Sequence, residues 1–180
     1  LPLLQASNFT LQRLRMLIGR LLAPSRVEVW QSSNLLPSGL PKKLRTISGD
    51  LIHLHWPHDE LLSISEFAQF HLPVVWTLHD CWAALTTAHY PVVQQNDGWI
   101  ERKVAQQKRK VFPNLQWELV TPSHQLKDEV ERSGLFPLST ISEIPHPIDS
   151  SIFHFAEKEK GRARFALNGE KPLLLFRYVE

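Results

Sequence analysis

The 180-residue chain contains a single cysteine, Cys81, a single methionine, two tyrosines and seven glycines. One thiol forms no internal disulfide and cannot build a Cys-rich zinc site. This excludes a disulfide-stapled mini-protein and makes the reducing cytoplasm the expected location. The glycines are scattered, with neither G-x-G-x-x-G nor G-x-x-x-x-G-K-[ST] among them, so no glycine-rich loop of either type is available to a nucleotide phosphate. No apolar run reaches the roughly 18 residues of a membrane span, and the first residues lack the apolar stretch and small-residue cleavage site of a signal peptide. Basic and aromatic residues do not interleave as a nucleic-acid surface requires, so no nucleic-acid partner is expected.

What the chain does have is 43% apolar residues, enough to bury a core, together with six tryptophans and nine histidines. Its net charge of +2 divides into +6 up to Gly49 and −4 from Asp50 onward, which makes the basic part a candidate contact surface. Between Thr10 and Leu22, Leu11, Leu14, Leu17, Ile18 and Leu21 recur at helical spacing, with Arg13, Arg15 and Arg20 among them and Pro24 stopping the pattern. Such a basic amphipathic helix either packs its leucines on a sheet or lies in anionic headgroups.

Ser32 to Pro41 reads as a loop. After it, strands and helices alternate. Leu51 to His55 predicts a strand, Ser63-Ile64-Ser65-Glu66 a capping box opening a helix through Phe70, and Pro73 to Leu78 a second strand. Ala83 to Gly98 is irregular. Trp99 to Phe112 predicts a helix with Asp97 as its cap, Glu101 in the first turn and Lys108, Arg109 and Lys110 in the last, as the helix dipole favours. A third strand follows from Trp117 to Thr121, then a helix capped by Ser123 and closed by Gly134 in the left-handed conformation. Thr140 to Ile144 predicts a fourth strand, Glu157 to Leu167 a last helix, and Leu173 to Phe176 the start of another strand. Parallel strands need crossovers of a dozen or more residues, which these helices supply. The expected fold class is α/β, a doubly wound parallel sheet covered on both faces.

In an open α/β sheet, ligands bind beyond the carboxyl ends of the strands. Those ends carry His55-Trp56-Pro57-His58, His79-Asp80-Cys81-Trp82, Pro122-Ser123-His124 and Pro145-His146-Pro147. His79 leads the candidates, because an imidazole oriented by a neighbouring carboxylate, here Asp80, exchanges protons with a hydroxyl near neutral pH. Ser123 serves as a helix cap or as a contact to an anionic group at a helix N-terminus. Trp56, Trp76 and Trp82 offer either a stacking face for a sugar or core packing. A rival constellation, His53, His55, His58 and Asp59, approaches the H-x-H-x-D-H zinc motif of metallo-β-lactamases, but Pro57 stands where that motif has its aspartate.

Several segments in register carry a family pattern: Ile52-His53-Leu54-His55-Trp56, Leu62-Ser63-Ile64, Pro73-Val74-Val75-Trp76-Thr77-Leu78-His79-Asp80-x-Trp82, His89-Tyr90, Val120-Thr121-Pro122-Ser123, and Ile144-Pro145-x-Pro147-Ile148-Asp149-x-x-x-Phe153. Together they resemble the N-terminal domain of family 4 glycosyltransferases, closest to the bacterial group that builds exopolysaccharide and other surface glycans. The resemblance implies a GT-B enzyme of two Rossmann-like domains, the first binding the acceptor and the second a nucleotide-sugar, transferring sugar with retention of configuration and without a required metal. It places His79 in the cleft against the transferred sugar, which makes His79, with Asp80 as its orienting neighbour, the expected catalytic pair. His55, Trp56, Trp82, Ser123 and His146 become the expected substrate-binding residues. The expected partners are a glycan or lipid-linked acceptor and a peripheral contact with the inner membrane face; the nucleotide-sugar is a co-substrate, and no cofactor is implied.

The chain departs from the family pattern in several places. Nothing matches the family's first strand and glycine-rich loop, or the Arg/Lys pair and Glu-x7-Glu motif of its donor domain. Thr86-Thr87-Ala88 replaces a Gly-Gly-Cys, and His146 replaces an asparagine. The expected organisation is a basic helix and connector at 1–33, a partial acceptor domain at 34–171 and the start of a donor domain at 172–180. The leading expectation is a partial glycosyltransferase, inactive alone. The alternatives are a glycan-binding module or a split-enzyme subunit served by a separate donor-domain chain, and a zinc-dependent hydrolase.

Overall fold

The computed structural model describes residues 13–14, 17–18, 30–91, 98–155 and 157–167. Asp97, residues 172–180 and most of the predicted helix at 10–22 lie outside them. Arg13, Leu14, Leu17 and Ile18 are helical, and all four are exposed.

Among the described residues, four short parallel strands form the sheet: β1 (Ile52–His55), β2 (Val74–Thr77), β3 (Glu118–Thr121) and β4 (Thr140–Glu143). Their spatial order follows the chain order, β1-β2-β3-β4. Ile52 lies beside Val74, Trp76 beside Leu119, and Thr121 beside Glu143. The chain is thus a Rossmann-like α/β protein. When strands are laid down in one direction, right-handed crossovers all fall on one face. The burial agrees: Leu54, Trp76 and Leu119 are buried, whereas His53, His55, Val75, Glu118 and Val120 on the alternate face are exposed or half-buried. Among the described residues, packing is therefore concentrated on one face of the sheet.

That face is covered by a 3-10 helix at Ile64–Gln69, by α2 (Trp99–Val111) and by α3 (His124–Ser133). Ile100, Val104 and Val111 turn inward from α2, and Leu126 and Val130 from α3. An aromatic cluster fills the centre, with Phe67 5.1 Å from Trp76 and stacked on Trp117, and Phe112 stacked on Phe136 at 4.9 Å. Ser123 caps α3 by accepting from the Leu126 N–H, and Gly134 closes it at φ 63°, a conformation that costs a side-chain-bearing residue about 1 kcal/mol or more. Gly98, exposed, occupies the N-cap of α2.

The predicted loop at 32–41 is held by side chains from the following segment, and it ends in a short helix, α1 (Leu40–Leu44), that hydrophobic periodicity did not show. Asn34 donates to the carbonyls of Pro57 at 2.6 Å and Leu62 at 2.7 Å. Glu60 accepts from the Ser33 hydroxyl and the Leu36 N–H. The predicted capping box forms: Glu66 accepts from the Ser63 N–H and hydroxyl, and the same carboxylate takes the Ser38 and Gly39 N–H groups ahead of α1. Burial pushes Glu66 up, but these hydrogen bonds from Ser38, Ser63 and Gly39 outweigh it and hold its carboxyl below the usual range.

The chain divides into two compact units, Leu1–Pro145 and His146–Glu180. The division falls inside the stretch 34–171 treated above as one domain. In the second unit, Asp149 organises a turn by accepting from the Ser151 N–H and hydroxyl, and α4 (Lys158–Arg164) follows. No helix among the described residues is long and apolar enough to cross a membrane.

Candidate active site

Because all four strands are parallel, the segments that follow β1, β2 and β3 emerge at one edge of the sheet. Two of them meet: His55 Nδ1 lies 3.0 Å from His79 Nε2, joining the ends of neighbouring strands. Both rings are exposed. His53, two residues earlier on the same side of β1, stands 4.1 Å from the His55 ring and hydrogen-bonds Thr77 Oγ1 at 2.8 Å. Slight burial, and the neighbouring His53 and His79, hold His55 below the ordinary histidine value. Such a pair of rings can pass a proton between them and hydrogen-bond a hydroxyl.

His79 is therefore oriented by His55, which corrects the expectation that Asp80 orients it. The Asp80 side chain points elsewhere: it is buried, accepts from the Trp82 N–H at 2.8 Å and pairs with His89 Nδ1 at 2.7 Å. Burial alone would raise its carboxyl, but His89 and His58 hold it low. Adjacent residues of an extended chain point to opposite sides, so one of the two faces outward and the other inward.

Trp82 corrects a second expectation. Its indole is 0% exposed and donates to the Ser32 carbonyl at 2.8 Å, so it belongs to the core and stacks on no sugar. Trp76 is likewise buried. Trp56, 38% exposed, is the accessible indole among these three; its φ of 49° turns the chain after β1 and lays the ring on His89, with centroids 5.1 Å apart. Ser123 is exposed as well as capping α3, and the adjacent His124 pairs with Glu143 across the end of β4. His146 is exposed and belongs to the second unit.

The zinc-motif residues do not gather. His53 and His55 stay on the exposed face of β1, while His58 turns into the core beside Asp80 and His89. His58 Nε2 is 3.7 Å from Asp80, and burial, only partly offset by that carboxylate, pushes the imidazole down to about 3.

Below this layer lies a group that charge patterning misassigned. Lys108, read above as a dipole partner at the end of α2, is wholly buried. Its ammonium donates to the carbonyls of Trp82, Leu85 and Thr86 and sits 3.5 Å over the Trp82 ring. Burial drives its pKa well below the usual lysine value, against the pull of Asp80. The lysine thereby fixes the backbone from which Asp80 and His89 reach each other. Its position four residues after Val104 and eight after Ile100, on the inward stripe, was the available signal.

A parallel Rossmann-like sheet with polar side chains gathered beyond its strand ends defines a ligand-binding α/β domain. The family model for Glycosyltransferase Family 4 matches residues 18–152, three quarters of the chain. The chain belongs to that family. No curated protein and no solved structure matches it.

Proposed function

We propose that this chain is the acceptor-side part of a retaining GT-B glycosyltransferase that moves a sugar from a nucleotide-sugar to a glycan or lipid-linked glycan of the bacterial surface. The observation that carries the reading is the His55–His79 pair at the carboxyl edge of two adjacent parallel strands, inside the matched region. In this role His79 hydrogen-bonds the sugar being transferred, His55 holds the His79 ring in place, and Trp56 offers its exposed part to the acceptor. Retaining transfer also needs fixed positive groups on the leaving diphosphate. The family's donor-domain motifs for that task find no match in this sequence, so the 180 residues alone bind without turning over.

Saturation-transfer NMR with oligosaccharide probes and nucleotide-release assays with UDP-glucose, UDP-galactose and GDP-mannose test this directly. The expected result is glycan contact that His79→Ala abolishes and His124→Ala retains, with nucleotide release at background. Steady release of nucleotide, or glycan contact indifferent to His79, would refute the proposal.

The same reading gives the N-terminal helix a membrane-facing role, supported by the exposure of Arg13, Leu14, Leu17 and Ile18. The chain is expected to sediment with anionic vesicles and not with neutral ones, and to lose that binding when Arg13, Arg15 and Arg20 become glutamines. Equal binding to both vesicle types would mark the leucines as merely adhesive.

A further inference from the structure

We propose that His58, Asp80 and His89 form a buried site for one divalent transition-metal ion, zinc by its ligand type, with a structural role. One ligand atom from each residue lies within 4.8 Å of the others, and all three residues are buried. Two imidazoles and a carboxylate are three zinc donors, and a water would complete the tetrahedron. His89 Nδ1 stands 2.7 Å and His58 Nε2 3.7 Å from Asp80 Oδ2. Ligands at about 2.0–2.1 Å in tetrahedral array lie about 3.4 Å apart. The two distances to Asp80 bracket that value, and the two imidazoles, within 4.8 Å of each other, would draw together to admit the ion.

The surrounding hydrogen bonds are those a metal site uses to aim its ligands. His89 Nε2 meets Ser32 Oγ at 2.8 Å, and Asp80 Oδ1 takes the Trp82 N–H at 2.8 Å. With Nδ1 on a metal, the remaining His89 proton sits on Nε2 and donates to Ser32. Lys108, the buried cation nearest in character, is engaged by its three carbonyls.

His58 is the residue that hydrogen bonding leaves unexplained. It is 4% exposed, its Nδ1 has no hydrogen-bond partner, and its Nε2 is beyond hydrogen-bond reach of Asp80. A phenylalanine would fill that space without the desolvation cost of an unpaired imidazole. A ligand role through Nε2 accounts for a histidine in place of a phenylalanine, with Nδ1 still unpartnered. Trp56 and Trp82 pack edge-on to His58 at 4.8 and 4.7 Å, so the ion would be sealed from substrate. Its effect would be to tie together the segments after β1 and β2 and the loop carrying His89.

The test uses the untagged 180-residue chain, stripped with chelator and then titrated with zinc or cobalt. Expected are one ion per chain by elemental analysis, a low-coordinate cobalt band in the visible spectrum, and a Tm rise of about 5–10 °C at a hundredfold excess over the dissociation constant. His58→Phe keeps the ring packing, and its metal-free Tm should match or exceed that of the native chain while the metal-dependent rise disappears. The exposed His55–His79 pair is the rival ligand set, so the double variant His55→Ala/His79→Ala should keep both the stoichiometry and the rise. The proposal fails if the native chain shows no rise, if the rise survives His58→Phe, or if it vanishes in the double variant.

Discussion

Lys108 shows how much one side chain can organise. Three carbonyls, Trp82 buried and Leu85 and Thr86 partly so, point at a single ammonium, and each would lose its partner if that group were removed. Lys108→Met keeps the length and the apolar stem of the side chain but removes all three donors and the cation over Trp82. An unsatisfied buried acceptor costs about 1–3 kcal/mol, so the variant is expected to lose about 3 kcal/mol or more of stability, read as a lower urea midpoint at unchanged slope. A loss under 1 kcal/mol would mean that water replaces the ammonium. At this scale the sequence was only partly legible. His79 and His55 stand at the strand ends as expected, because strand position follows from local pattern. The partners of Asp80 were hidden, because the His89 that it meets is supplied by a loop whose path no periodicity encodes.

Among the elements, the strands were the easiest to read: each of the four lies within its predicted stretch, bounded by Pro, Gly or a polar run. Residues 32–40 were harder, since a loop and a tightly held strap have the same composition. The difference lies in Glu66, whose carboxylate serves both its own capping box and the backbone ahead of α1. Its folded-state pKa is depressed, so the stability it provides is fully present above the ordinary value near 4.5 and is lost as the pH falls through the lower folded value. Glu66→Gln should therefore cost about 2 kcal/mol at pH 7. The gap to the native chain should close as the pH falls below about 4.5 in parallel denaturation curves. A gap that stays constant across this range would show that charge plays no part in the strap.

For the molecule as a whole, the parallel α/β class was legible because crossover length and the apolar strand cores both demand it. How the cover divides between the two faces was not legible. That depends on strand order, and a sequence of alternating strands and helices does not reveal whether the order reverses. Among the described residues the order runs straight through, so β2, β3 and β4 each bed against the strand made just before. Membership in Glycosyltransferase Family 4 fits such a sheet, with its histidines at the carboxyl edge.

The bridge between Gln31 and Ala88, with Ser32 bonded to His89 across 57 residues of chain, has a consequence for the nascent polypeptide. The segment around Ser32 leaves the ribosome early, but its set of hydrogen-bond partners, Asp59, Trp82, Thr87 and His89, is not complete until residue 89 has been joined. At about 5–20 residues per second that interval is about 3–10 s. During it the Trp30 carbonyl waits for the His89 N–H, and Ser32 for the Thr87 carbonyl and the His89 ring. β1 and β2 are already complete in sequence by then, so this contact joins a segment made before the two strands to one made after them.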